Sequence, residues 1–219
     1  MKFKLLNIIC SKKLKYSFLL IFLLFLFISI CAISYVDAVS DNISKNVFRL
    51  HVIANSDSSE DQNLKYIVRD AVLEYVNSTI NATSKEELIS TLDLDKINNV
   101  ARQTVLENGY DYDVSVEIGN FFFPTKTYGD ISFPAGNYDA LRVKLGNASG
   151  KNWWCVMFPP LCFVDVSSGI VPDDSKSQLQ NSMPYEEYKI ISDSDDSKIN
   201  FKFKLIEMLQ SFGMQVALK

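Results

Sequence analysis

The residues best suited to do chemistry are few. His51 is the sole histidine of the chain, and Cys155 and Cys162 stand seven apart in "NWWCVMFPPLC". A thiol nucleophile with an imidazole base is the sharpest chemistry they allow, with Cys155 or Cys162 attacking, His51 accepting the proton, and Asn55 or Asp57 orienting the ring. The local surroundings oppose it. A reactive thiolate needs a helix N-terminus or a nearby cation, whereas Cys155 lies among Trp154, Val156 and Met157. Two other readings of the cysteines stay open: a disulfide closed around Pro159 and Pro160, or a pair of reduced thiols packed in a core.

Metal and phosphate chemistry lack their usual residues. One histidine gives no HExxH, no pair of close CxxC motifs is present, and "DSSED" lacks the glycine and distal glutamate of a calcium loop. No glycine-rich phosphate loop occurs. The sequence therefore implies neither a metal nor a cofactor, and no small-molecule substrate is expected.

The elements that position these residues start with the N-terminus. Lys2, Lys4, Lys12, Lys13 and Lys15 precede "YSFLLIFLLFLFISICAISY", an uncharged run from Tyr16 to Tyr35, followed by Asp37 and Asp41. At about 1.5 Å per residue such a helix covers roughly 30 Å, one bilayer core. The lysines predict a cytoplasmic N-terminus and a domain on the far side. "VDA" at 36–38 has the spacing of a signal-peptidase site, so both a retained anchor and a cleaved segment fit; a lipoprotein reading at Cys31 fails because Ile30 fills a small-residue position. The expected division is a basic cytoplasmic segment at 1–15, an anchor or signal at 16–35, a spacer at 36–46 and an exported domain at 47–219.

Beyond the span, 17 basic residues face all 26 acidic ones, a balance of −9. Phosphate neutralisation needs a basic face, so no nucleic-acid partner is expected.

Within the domain, "NVFRLHVIANS" reads as a strand, and Leu64, Ile67, Val68, Ala71, Val72, Tyr75 and Val76 repeat at helical spacing after a Ser58–Asp61 cap, with Asp61 and Lys65 set for an i, i+4 pair. Ser84 with Glu87 signals a second helix by a capping box, and Leu94, Ile97, Ala101 and Val105 before Gly109 a third. The period then changes to two in "DVSVEIG" and "DALRVKLG", and "GNASG" predicts a hairpin between the latter and "KNWWCVMF". Residues 167–196 read as a long loop with a short helix near 175–179, and 197–213 as a closing helix that packs on the domain. The fold class is α+β, a helical block on an antiparallel sheet behind an N-terminal transmembrane helix.

Aromatic clusters at Phe121, Phe122, Phe123 and at Trp153, Trp154 cannot each point to one side of a strand. Their other side must meet a second packed layer, a partner or water; in the reading as a protein-binding surface the expected members are His51, Asn55, Asp57, Phe122, Lys126, Tyr128 and Trp153.

Three long segments in order, "FRLHVIANSDSSEDQNLKYIVRDAVLEY", "GNFFFPTKTYGDISFPAGNYDALRVKLG" and "GKNWWCVMFPPLCFVD", resemble the stage II sporulation protein R family of endospore-forming bacteria. The resemblance covers Phe48 to Asp165 and implies a protein made in the forespore and exported into the space between the two compartments. There it would activate a membrane-embedded aspartic protease that processes the precursor of the early mother-cell sigma factor. It carries no catalytic residues across. Set against this non-enzymatic signal are a cysteine hydrolase and an exported ligand-binding domain.

Overall fold

The computed structural model describes residues 2–162 and 171–192, without the side chains of 2–14, 32–33 and 36–37. The chain divides into two compact units, Met1–Val39 and Ser40 onward.

Helix α1 runs Lys2–Lys45, so residues 36–45 are helical where a polar spacer is expected. In the first unit the side chains of Tyr16 to Ile30 are mostly exposed, Phe18 at 76% and Phe25 at 68% among them. Among the described residues no helix is long and apolar enough to cross a membrane.

The second unit is a mixed α+β fold: β1 (Phe48–Ile53), α2 (Ser59–Thr79), α3 (Lys85–Thr91), α4 (Leu94–Glu107), β2 (Val114–Phe123), β3 (Lys126–Tyr128), β4 (Ile131–Phe133), β5 (Gly136–Leu145), β6 (Asn152–Phe158), α5 (Asp173–Ser182) and α6 (Tyr185–Ser192). Four strands form one sheet in the order β2-β5-β1-β6, and β3 and β4 form a separate ribbon.

The hairpin between β5 and β6 is not formed. β1 inserts between them, parallel to β5 and antiparallel to β6, so the sheet is mixed rather than antiparallel. The physical reason is burial: five of the six residues of β1 are buried, and a strand with both faces covered and both edges paired leaves no backbone group unsatisfied.

Helix α2 begins where Ser58 Oγ accepts the N–H of Asp61, and one side of it, Leu64, Val68, Val72 and Val76, joins Ile97, Ala101 and Val105 of α4 over the sheet face that carries Leu50, Val52, Leu141, Val143 and Cys155. The Asp61–Lys65 pair is absent, because Asp61 accepts from Asn55, Ser56 and Tyr112 while Lys65 donates to Gln62 and the carbonyl of Lys151. In α3, Ser84 caps Glu87 as its half of the box, but the Glu87 carboxylate takes the N–H and hydroxyl of Thr83. Gly109, at φ 84°, ends α4 in a conformation that suits glycine. Helix α5 includes the short helix expected near 175–179, whereas α6 lies in a stretch read as loop. The closing helix at 197–213 falls outside the described residues.

Lys85 fixes the end of α1 within this unit. Its ammonium donates to the carbonyls of Ser44 and Lys45 and pairs with Asp139 at 2.8 Å, a cation placed at the negative end of a helix.

Candidate functional site

β-pleating assigns neighbouring residues of β1 to opposite faces. Leu50 and Val52 go to the helices, and Arg49 and His51 go to the other face, where the β3–β4 ribbon lies over Arg49. The register repeats this on β6. Cys155 is opposite Leu50 and points with it to the helix side; Trp154 is opposite His51 and shares its side. The sheet therefore stands between His51 and Cys155, and Cys155 is bonded to Cys162 across a Cα–Cα distance of 5.1 Å. His51, Cys155 and Cys162 assemble no nucleophile–base pair. The disulfide corner also holds a cis bond at Phe158–Pro159 and a hydrogen bond from the N–H of Leu161 to the carbonyl of Val156.

His51 is 5% exposed. Its ring stacks on Trp154 at 3.7 Å between centroids, meets Phe123 edge-on at 5.9 Å, and Nε2 lies 2.9 Å from Oδ1 of Asn152. Burial holds its pKa down to about 4; the bond to Asn152 opposes the shift, and the guanidinium groups of Arg142 and Arg49 add to it. At neutral pH the ring is uncharged.

Arg49, which is fully buried, organises the same face. Its guanidinium carbon lies 4.2 Å from the centre of the Phe123 ring, 4.7 Å from that of Tyr138 and 5.8 Å from that of Phe133. Nη2 donates to the Tyr128 hydroxyl at 2.8 Å, and that hydroxyl donates to the carbonyl of Trp154 at 3.0 Å. Among the described residues no carboxylate pairs with Arg49, and Nη1 has no hydrogen-bond partner. Aromatic faces replace the counter-charge, each worth about 2 kcal/mol when desolvated. The result ties β1, β2, β5 and the ribbon together through one cation.

Asn55 and Asp57 belong elsewhere, in the loop that grips the β5–β6 connection. Asn55 donates to Asp61 and accepts from the N–H of Asn147, Ser149 donates to the Asn55 carbonyl, and Asp57 accepts the N–H of Lys151 at 2.7 Å. A side chain at Gly146 would collide with Asn55, and one at Gly150 with the carbonyl of Ser56. Burial pushes the Asp61 carboxyl up, but the donors Ser56, Asn55 and Tyr112 outweigh it and leave its pKa below the ordinary value. This network is a structural clasp whose acceptors are already used.

The seven residues expected to form one surface are thus dispersed. His51 and Tyr128 share the Arg49 face, Asn55 and Asp57 sit in the clasp, and Phe122, 48% exposed, stands on β2. Lys126 opens the ribbon opposite Phe133. Trp153 is on the helix side, edge-on to Tyr66 at 5.4 Å and under Arg69 at 4.4 Å. Arg49, Phe133 and Tyr138 were not legible as members; the available signal was an arginine inside an apolar strand, which reads by default as a wet face.

Among the described residues no group of three or more His, Cys, Asp or Glu could hold a metal ion. One surface hollow lies along α4 at Asn99, Arg102 and Gln103, another between α2, α3 and the proline corner at Asn77, Ile80 and Pro160; neither contains His51 or Arg49.

Comparison with known proteins agrees with the sequence segments. Residues 44–168 match the family model described as stage II sporulation protein R. A protein of Bacillus subtilis (strain 168) named "Stage II sporulation protein R" is 43% identical over 130 residues, which are 58% of this chain and 58% of that protein's length. No solved structure matches. The chain belongs to the stage II sporulation protein R family.

Proposed function

We propose that this chain is an exported, non-catalytic sporulation signal that activates a membrane-embedded aspartic protease, which then processes the precursor of the early mother-cell sigma factor. Family membership over residues 44–168 carries the reading. The uncharged run from Tyr16 to Tyr35, behind five lysines, serves in it as a transmembrane anchor or a cleaved signal that delivers the domain from the forespore to the space between the two compartments. Activation follows from tighter binding to the protease's competent state, which shifts its population. The separation of His51 from Cys155 by the sheet favours this over a cysteine hydrolase.

Co-expression of the full chain with the protease and the sigma-factor precursor in a non-sporulating cell tests the reading. Cleavage that requires both proteins is the expected result; an uncleaved precursor with both present contradicts it.

A further inference from the structure

Strand β2 is an outer strand of the sheet, paired on one side only, with β5. Its ten-residue register runs from Val114 to Phe123 without a bulge. Among the described residues the backbone groups on its outer side have no hydrogen-bond partner.

Proteins ordinarily protect such an edge with proline, lysine, a bulge or a covering element. β2 has no proline, lysine or bulge. Its one charged residue, Glu117, is neutralised from β5, where Arg142 donates at 2.7 Å and Lys144 at 2.8 Å to the same carboxylate oxygen. Two cations against one carboxylate leave a surplus positive charge on the face of the edge away from the helices. On the helix side the strand presents Val116, Ile118 and the exposed Phe122.

We infer that the outer edge of β2 receives an extended segment of a partner protein, added as a fifth strand, with apolar side chains beside Ile118 and Phe122 and an acidic one on the face of Glu117, long enough to reach the Arg142 guanidinium where it lies over the Phe121 ring. Main-chain hydrogen bonds would supply affinity, and the two alternating faces would supply specificity. The surplus charge selects the occupant: a second copy would bring the same set of Arg142, Lys144 and Glu117, itself net positive, and not the missing negative charge. This inference rests on the reading that the chain acts by binding the protease.

The test uses the full chain in the co-expression system. Phe122→Lys and Lys144→Gln should each lower precursor cleavage at least about fivefold with thermal unfolding unchanged, as expected when strand addition is opposed at one edge. Gln103→Lys, on the exposed side of α4, should leave cleavage at the wild-type level. A benzoyl-phenylalanine in place of Phe122 should crosslink to the protease. Wild-type cleavage by both edge variants, or a crosslink only to another copy of the chain, overturns the inference while the functional reading stands. Absence of cleavage with the wild-type chain is a separate result, which removes that reading and the proposed occupant with it.

Discussion

His51 and Trp154 face each other across the β1–β6 ladder with their rings stacked 3.7 Å apart. Contact of this kind suits a neutral imidazole, and burial keeps the ring neutral by lowering its pKa from 6.5 to about 4. The unfolded chain therefore binds a proton between those values that the folded chain does not. Stability from His51 is fully present above pH 6.5 and is lost as the pH falls toward 4, by up to roughly 3 kcal/mol. The carboxylates of Asp61 and Glu117, held below their ordinary values of 3.8 and 4.5, contribute their own loss only at lower pH. Denaturant unfolding of the wild type should thus weaken between pH 6.5 and 4.5, and His51→Gln should flatten that interval. Equal slopes for the two proteins would contradict the assignment.

Arg49 is the second test, because its aromatic surroundings suit a planar, weakly hydrated guanidinium. Arg49→Lys keeps the charge but restores a strongly hydrated ammonium to a site without a carboxylate, and should cost about 2 to 4 kcal/mol by urea unfolding. Tyr128→Phe, which removes the acceptor for Nη2, should cost about 1 to 2 kcal/mol. An unchanged midpoint for Arg49→Lys would show that the rings contribute little.

The disulfide offers a paired comparison. Closing the loop between Cys155 and Cys162 stabilises by about 2.5 kcal/mol in the chain-entropy model, so Cys155→Ser and Cys162→Ser should lower stability by a similar amount. Both should retain precursor cleavage wherever they remain folded. Loss of cleavage at one cysteine alone, in a folded protein, would revive a nucleophile.

The clasp at the β5–β6 connection predicts an effect of one methyl group. Gly150→Ala drives a side chain into the Ser56 carbonyl and should destabilise by about 1 to 3 kcal/mol. Ala148, whose φ of 49° lies in the left-handed region, should tolerate Gly with no loss or a small gain. The reverse ranking, read by thermal unfolding, would place the constraint elsewhere.

The helices were legible because their information is local. Ser58 and Ser84 cap the starts of α2 and α3, and apolar spacing marks the buried sides of α2 and α4. Strand order was not legible, since a period of two says which face is wet but not which strand is the neighbour. "GNASG" looks like a hairpin turn whether or not a third strand lies between its arms, and here β1 does. The candidate site shared that difficulty. His51, Asn55 and Asp57 are close in sequence, but the pleat turns His51 toward Trp154 while the chain carries Asp57 to Lys151. Arg49 went unrecognised because its cage draws on β2, β4 and β5, which no local pattern joins to β1.

A chain that activates by binding makes precursor cleavage depend on its amount in a way that a turning-over enzyme does not. With the protease and precursor fixed, the cleavage rate should rise with added full-length chain until the chain matches the protease, and then level off. A rate indifferent to the chain, or a full rate at about a hundredth of the protease amount as expected of a turning-over enzyme, would contradict it.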